Sequence, residues 1–123
     1  MSSITKIPDR HMIHVTLYFA PENVPIALEA CKALFEEAWK EPQLDFCQVV
    51  QHVDEPGIIR IQEAWNASRK YLDEVQLHKS YYAPYLEATQ HLWLRPREIQ
   101  IFERISGWTS IKPSFAQDEL EPQ

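Results

Sequence analysis

The sequence is poor in glycine: its 123 residues contain only two, Gly57 and Gly107. A phosphate-binding loop needs several glycines within a few positions, so a Walker or dinucleotide-binding loop is excluded. The two cysteines, Cys31 and Cys47, both stand beside apolar neighbours. We interpret them as buried free thiols in a reducing compartment rather than as a disulfide, because two cysteines do not make a disulfide framework.

Positive charge and long apolar runs are also scarce. Twelve Lys and Arg face eighteen Asp and Glu, which gives a net charge of -6. This balance disfavours nucleic acid or an anionic membrane as a partner. No apolar run approaches the roughly 18 residues that a membrane-spanning helix needs, and residues 1–9 lack the apolar core of a signal peptide. Composition therefore predicts a cytoplasmic protein with one domain.

Local metal-binding and nucleophile motifs are missing as well. The five histidines and two cysteines form no H-x-x-x-H or C-x-x-C spacing, which are the local patterns that indicate a zinc site. Neither thiol has an adjacent histidine to activate it, and no G-x-S-x-G is present. We therefore predict no metal.

Hydrophobic periodicity divides the chain into four strands and three helical segments. Alternating residues predict strands, and apolar positions at helical spacing predict helices. Asn66 or Ser68 is the expected N-cap of the second helical region. The predicted strands are 11–20, 44–53, 58–65 and 97–105, and the predicted helical segments are 24–40, a short helix through Val75, and 80–92.

This order of elements predicts an α+β fold of the ferredoxin-like, split β-α-β type, with a four-stranded antiparallel sheet and helices on one face. The other sheet face is half apolar, so we expect two copies to pack sheet against sheet as a homodimer. The predicted organisation is an N-terminal arm at 1–10, the domain at 11–105 and a C-terminal tail at 106–123.

Three stretches carry a family resemblance: HVTLYFAPEN (14–23), EAWNAS (63–68) followed by His78, and KSYYAPYLEAT (79–89). In this element order they resemble the antibiotic biosynthesis monooxygenase domain, a member of the dimeric α+β barrel superfamily, in its fungal form. The resemblance implies a cavity between the helices and the sheet of each protomer. It also implies oxidation of anthrone-like aromatic compounds to quinones by molecular oxygen without a cofactor, in polyketide or other secondary metabolism.

The resemblance also implies site residues. Trp65, Tyr71 six residues later, and His78 match the tryptophan, tyrosine and histidine that line the family's site. The family pattern places an asparagine four residues before the tryptophan, where this chain has Ile61. The haem-degrading relatives use an asparagine on the first strand, which this chain lacks.

Oxygenation without a cofactor needs a base that deprotonates the substrate and donors that stabilise the resulting oxyanion. Histidine titrates near neutrality, so we predict His78 as the general base, on a helix that faces the sheet. Trp65 and Tyr71 are expected to orient the aromatic ring. The expected substrate-binding residues are His14, Tyr18, His52, Glu63 and Tyr82.

Simpler interpretations stand beside these. Trp65 and Tyr71 suit core packing, and Glu63 suits a structural role. Two other functions also fit the sequence: an oxygen-independent acid–base enzyme (isomerase, cyclase, dehydratase or lyase), or a non-catalytic ligand-binding domain whose cavity is filled by Phe46, Tyr82 and Trp93. A pocket near His78 smaller than about 300 Å³ would favour the non-catalytic domain.

Overall fold

The structure is a computed structural model that describes residues 3–117. Its strands are β1 (Lys6–Tyr18), β2 (Leu44–Gln51), β3 (Ile58–Asn66) and β4 (Glu98–Ile105). Its helices are α1 (Val24–Trp39), α2 (Arg69–Glu74) and α3 (Tyr82–Thr89), and short 3-10 turns lie at 21–23, 76–78, 90–92 and 113–116. The ferredoxin-like α+β prediction is confirmed.

The four strands form one antiparallel sheet in the order β2-β3-β1-β4. In the centre of this sheet Ile13 of β1 lies between Glu63 of β3 and Ile101 of β4. Side chains alternate between the two faces of a strand. Ile13, Ile61 and Glu63 therefore share the face that the helices cover, whereas His14 and Gln62 lie on the opposite face.

The helix-covered face holds the core in two neighbouring clusters. One joins Leu17 and Ile59 of the sheet to α1 and Tyr85 of α3. The other surrounds Trp65, which is 1% exposed, and includes the fully buried Leu72 of α2. Apolar residues of both α2 and α3 therefore pack the chain between β3 and β4 against the sheet.

Five strand boundaries differ from the prediction, three of them by two residues or more. β1 begins at Lys6 rather than at residue 11, because Lys6 pairs with Ile105 of β4 across a register shift that precedes His11. Asp9 has φ 54 within this irregular stretch, and aspartate tolerates that left-handed conformation. The predicted strand 44–53 ends at Gln51. Between the two candidate caps, Ser68 is the N-cap of α2, and its Oγ accepts from the Tyr71 N–H at 3.0 Å.

The second sheet face carries no helix within the described chain. Part of the tail, up to residue 117, runs along this face, where the Phe115 ring stacks on Phe46 with centroids 5.8 Å apart. A groove of about 550 Å³ lies between the tail and the sheet, lined in part by Met12 and Ile111. The rest of the predicted tail, 118–123, lies outside the described residues. The sheet-to-sheet homodimer stays a prediction.

Cys31 and Cys47 are free thiols, the first buried and the second half-buried. Within residues 3–117, every helix is too short or too polar to cross a membrane.

Candidate functional site

An enclosed cavity of about 40 Å³ lies between the sheet and the helices. A single water needs about 10–15 Å³ by the same kind of measure, so the cavity has room for a few waters or one diatomic molecule. Its polar lining residues are Glu63, Gln76, Tyr82, Tyr85 and Arg97. Its apolar lining residues are Ile13, Val15, Leu34, Ile61, Leu77 and Ile99.

Glu63 supplies the carboxylate of this cavity. The register of β3 places it between Ile13 and Cys47, on the face below the helices. Its Oε1 accepts a hydrogen bond of 2.7 Å from the Trp65 indole N–H. Because the surrounding side chains shield the carboxyl group from bulk water, burial raises its pKa above the ordinary value of 4.5, and the bond from Trp65 partly opposes this shift.

Gln76 is the centre of a hydrogen-bond network on the helix side of the cavity. Its side chain is fully buried. Its Oε1 accepts from the Tyr71 hydroxyl at 3.1 Å, and its Nε2 lies 2.6 Å from the Tyr81 hydroxyl and 2.9 Å from the Tyr82 hydroxyl. All of the donors and the acceptor of this amide are therefore used.

The network reaches the surface through Tyr81. Its hydroxyl donates to Glu41 Oε2 at 2.9 Å, and Lys79 Nζ lies 3.2 Å from the same oxygen. Burial is the largest cause of a raised pKa at both phenols. The pKa of Tyr82 rises to about 12, and that of Tyr81 rises further. Both phenols therefore stay protonated at neutral pH and act through hydrogen bonds rather than as bases.

The structure does not bring His78 to the cavity. His78 ends the 3-10 turn 76–78, and its side chain is exposed to solvent. The expectation that His78 faces the sheet is wrong, because the buried position of this turn is Gln76, two residues earlier. A single tight turn cannot direct both side chains inward. The catalytic role assigned to His78 stays an untested prediction.

The predicted site residues divide into two groups. Glu63 and Tyr82 line the cavity, Trp65 bonds to Glu63, and Tyr71 bonds to Gln76. Trp65 and Tyr71 also pack in the second core cluster, so each combines core packing with a polar contact to a cavity residue.

The other three predicted residues lie elsewhere. His14 is on the face opposite the cavity, with its ring 5.2 Å from Phe102, and burial followed by the charge of Arg60 lowers its pKa. The Tyr18 hydroxyl donates to Glu98, and Arg95 lies over the Tyr18 ring. The His52 ring accepts backbone N–H groups of the β2–β3 turn at 3.0 Å. His52 therefore stabilises that turn, outside the cavity.

The chain is 30% identical over 95 residues to a Pestalotiopsis microspora protein named "Putative monooxygenase", and the match spans 77% of this chain and 79% of that protein. No family model matches the chain. The structure superposes on the "Putative antibiotic biosynthesis monooxygenase" of Nitrosomonas europaea with a TM-score of 0.73, at 17% identity over 82% of this chain and 95% of the other.

A second solved structure, of a conserved Methanosarcina mazei protein, gives a TM-score of 0.69 at 22% identity over 77% of this chain and 92% of that one. The chain belongs to the antibiotic biosynthesis monooxygenase family. Within this member of the family, Ile61 lines the cavity at the position where the resemblance implies an asparagine. Glu63, two residues further along the strand, supplies the polar group on the sheet side.

Sequence reasoning missed Gln76 and Arg97. One signal was available for Gln76: it stands four residues after Leu72, and residues at that spacing share a helix face. A glutamine in line with a core leucine indicates a buried amide that needs partners. Among residues 3–117, no group of three or more His, Cys, Asp or Glu side chains is placed to hold a metal ion.

Proposed function

We propose that this family member is a cofactor-independent monooxygenase that oxidises a phenolic, anthrone-like aromatic substrate, with Glu63 as the general base. One observation carries the proposal: a shielded carboxyl group of raised pKa borders an enclosed cavity and is held by the Trp65 indole. Perturbed carboxyl groups in cavities are characteristic of acid–base sites. The choice of Glu63 over His78 rests on position, because His78 is exposed.

The raised pKa suits the chemistry. A base works best when its pKa approaches the pH at which it operates, and desolvation moves the pKa of Glu63 in that direction. The proposed reaction converts a CH2 group and O2 into C=O and H2O. Glu63 takes a proton from the CH2 carbon, and the resulting carbanion passes one electron to O2.

The two radicals then combine to form a C–O bond. Protonation of the peroxide and loss of the second hydrogen from the same carbon break the O–O bond, which leaves the ketone and water. O2 accepts all four electrons that the carbon loses, so the balance requires no other redox partner.

The volume of the cavity indicates that O2 and the aromatic ring occupy different parts of the site. About 40 Å³ accommodates O2 but excludes a polycyclic ring. Two apolar lining residues, Leu77 and Ile99, are 38% and 39% exposed and therefore mark the mouth of the cavity. We place the ring at this mouth, where its reactive carbon points inward toward Glu63 and O2.

One observation favours the non-catalytic alternative: the cavity is smaller than the roughly 300 Å³ of a typical ligand pocket. The position of Glu63 argues against it. A domain that only packs side chains into this space gains nothing from a desolvated carboxyl group, which costs free energy that an apolar side chain would not.

The test is oxygen uptake by the purified protein with an anthrone substrate, compared with the spontaneous rate and with an anaerobic incubation. The proposal expects oxygen consumption and quinone formation in equal amounts. If product forms at the same rate without oxygen, the protein is a redox-neutral acid–base enzyme rather than an oxygenase. Uptake at the spontaneous rate, with no binding of the anthrone, would favour the non-catalytic domain.

A further inference from the structure

We propose that Gln76 is a positioning residue that turns the O–H of Tyr82 into the cavity, where Tyr82 acts as the hydrogen-bond donor to the substrate oxygen. This inference rests on the proposed function and adds a second role to the base supplied by Glu63. It follows from the directions of the hydrogen bonds around Gln76.

The direction at Tyr81 fixes the orientation of the amide. Glu41 Oε2 lies 2.9 Å from the Tyr81 hydroxyl, and an ionised carboxylate only accepts hydrogen bonds. Tyr81 therefore donates its single proton to Glu41 and must accept the 2.6 Å bond from Gln76. The amide nitrogen of Gln76 thus faces Tyr81, and its oxygen faces the Tyr71 hydroxyl. This resolves the choice between the two amide orientations, which coordinates alone leave open.

The orientation of the amide determines the state of Tyr82. The second N–H of Gln76 donates to the Tyr82 oxygen at 2.9 Å. The Tyr82 hydroxyl therefore uses a lone pair in this bond and keeps its own proton. Among the hydrogen bonds of 2.6–3.1 Å that this network makes within residues 3–117, Tyr82 accepts one and donates none, and the Tyr81 hydroxyl beside it is the competing partner. Because Tyr82 lines the cavity together with Glu63, the cavity has both a donor and an acceptor.

Such a pair fits the proposed reaction. As Glu63 removes a proton from carbon, negative charge develops on the conjugated oxygen of the substrate, and a donor aimed at that oxygen stabilises it. Loss of one such donor typically lowers kcat about 10²–10³-fold. Gln76 does not touch the substrate. It donates a hydrogen bond to the Tyr82 oxygen, so the Tyr82 proton points away from Gln76 and into the cavity.

The first test needs no substrate. The intensity ratio of the tyrosine Fermi doublet in Raman spectra distinguishes a hydroxyl that donates from one that only accepts. Subtracting the spectrum of Tyr82→Phe from that of the wild type isolates the signal of Tyr82. We expect this signal to be that of a hydroxyl that only accepts. When its carboxylate is ionised, Gln76→Glu offers acceptors only, so Tyr82 should change to a donor. Gln76→Met, which offers no hydrogen bond, should remove the acceptor signature and serves if the glutamate variant does not fold.

The second test measures kcat and KM separately. Tyr82→Phe and Gln76→Glu should each lower kcat about 10²–10³-fold with little change in KM. The double variant should be no slower than Tyr82→Phe alone, because both changes remove the same donor. The control Gln100→Glu makes the same substitution on an exposed residue of β4 and should change neither quantity.

Two results would overturn the inference: a donor signature for Tyr82 in the wild-type protein, or kcat losses that multiply in the double variant. The outcome is separable from that of the proposed function. If the wild-type protein shows no oxygen uptake, the proposed function fails, and the Raman comparison alone decides how Gln76 positions Tyr82.

Discussion

Replacing Glu63 by glutamine is the sharpest test of the proposed chemistry. The substitution keeps the size of the side chain and an oxygen that can accept the Trp65 N–H, now 2.7 Å from Oε1, but it removes the basic group. Loss of a general base lowers the rate about 10²–10⁴-fold, which corresponds to about 3–5 kcal/mol of activation free energy. Oxygen uptake with an anthrone, followed by stopped-flow detection of the quinone, measures this loss.

The same substitution predicts a gain in stability with a definite dependence on pH. Desolvation raises the pKa of folded Glu63 above its unfolded value, so folding opposes ionisation of this group. Below the unfolded pKa, wild type and Glu63→Gln should be equally stable. As the pH rises through the folded pKa, the wild type alone loses stability. Urea midpoints at pH 4 and pH 8 test this difference.

The other groups that face Glu63 are consistent with its raised pKa and with the loss of stability at high pH. Cys31 of α1, Cys47 of β2 and Tyr82 of α3 all stay neutral at pH 8, because burial raises the pKa of each of them. Arg97 is the cationic lining residue, but desolvation is the largest cause acting on the pKa of Glu63, and the net direction is upward. Glu103→Gln, which removes an exposed carboxylate of β4 that pairs with Lys6, is the control and should leave the rate unchanged. A Glu63→Gln variant within threefold of wild-type turnover would refute Glu63 as the base.

Three further predictions follow from the contacts. His78→Ala should keep turnover within about threefold of wild type, against a loss of about 10²–10⁴-fold if His78 were the base; oxygen uptake decides. Trp65→Phe removes the bond that opposes the raised pKa of Glu63, so the acidic limb of the kcat/KM profile should move to higher pH; an unmoved limb would separate Trp65 from Glu63. Leu72→Ala should lower the free energy of unfolding by about 2–5 kcal/mol, because Leu72 is fully buried; a smaller change in urea unfolding would contradict that packing.

Most of the fold was accessible from periodicity alone. Alternating residues predicted all four strands, and Ser68 was one of two candidate caps for α2. The alternation did not specify which face of β1 the helices cover, so His14 and Tyr18 were assigned to the site although they lie on the other face. The start of β1 was not accessible, because its first residues pair across a bulge that includes Asp9 at positive φ. Pairing of that kind depends on the partner strand, and its local sequence looks like a loop.

The site was accessible only in part, since the spacing of residues does not specify which side of a tight turn faces inward. Counting six and thirteen residues from Trp65 led to Tyr71 and His78. Tyr71 does join the network, through Gln76. The chain between α2 and α3, however, is a 3-10 turn that buries Gln76 and exposes His78. A helix continued to residue 78 would have distributed these side chains differently.

The two polar groups of the interior differ in how completely the protein satisfies them. Gln76 uses both N–H groups and one lone pair of its carbonyl oxygen on three tyrosines, so it has no donor left to offer a ligand. Glu63 can accept about four hydrogen bonds and receives one within residues 3–117, from Trp65. A carboxylate with open acceptor sites in a shielded cavity is unfavourable for stability and well suited to take a proton. This difference supports the proposal that the chemistry takes place at Glu63 and that Gln76 holds the donors in place.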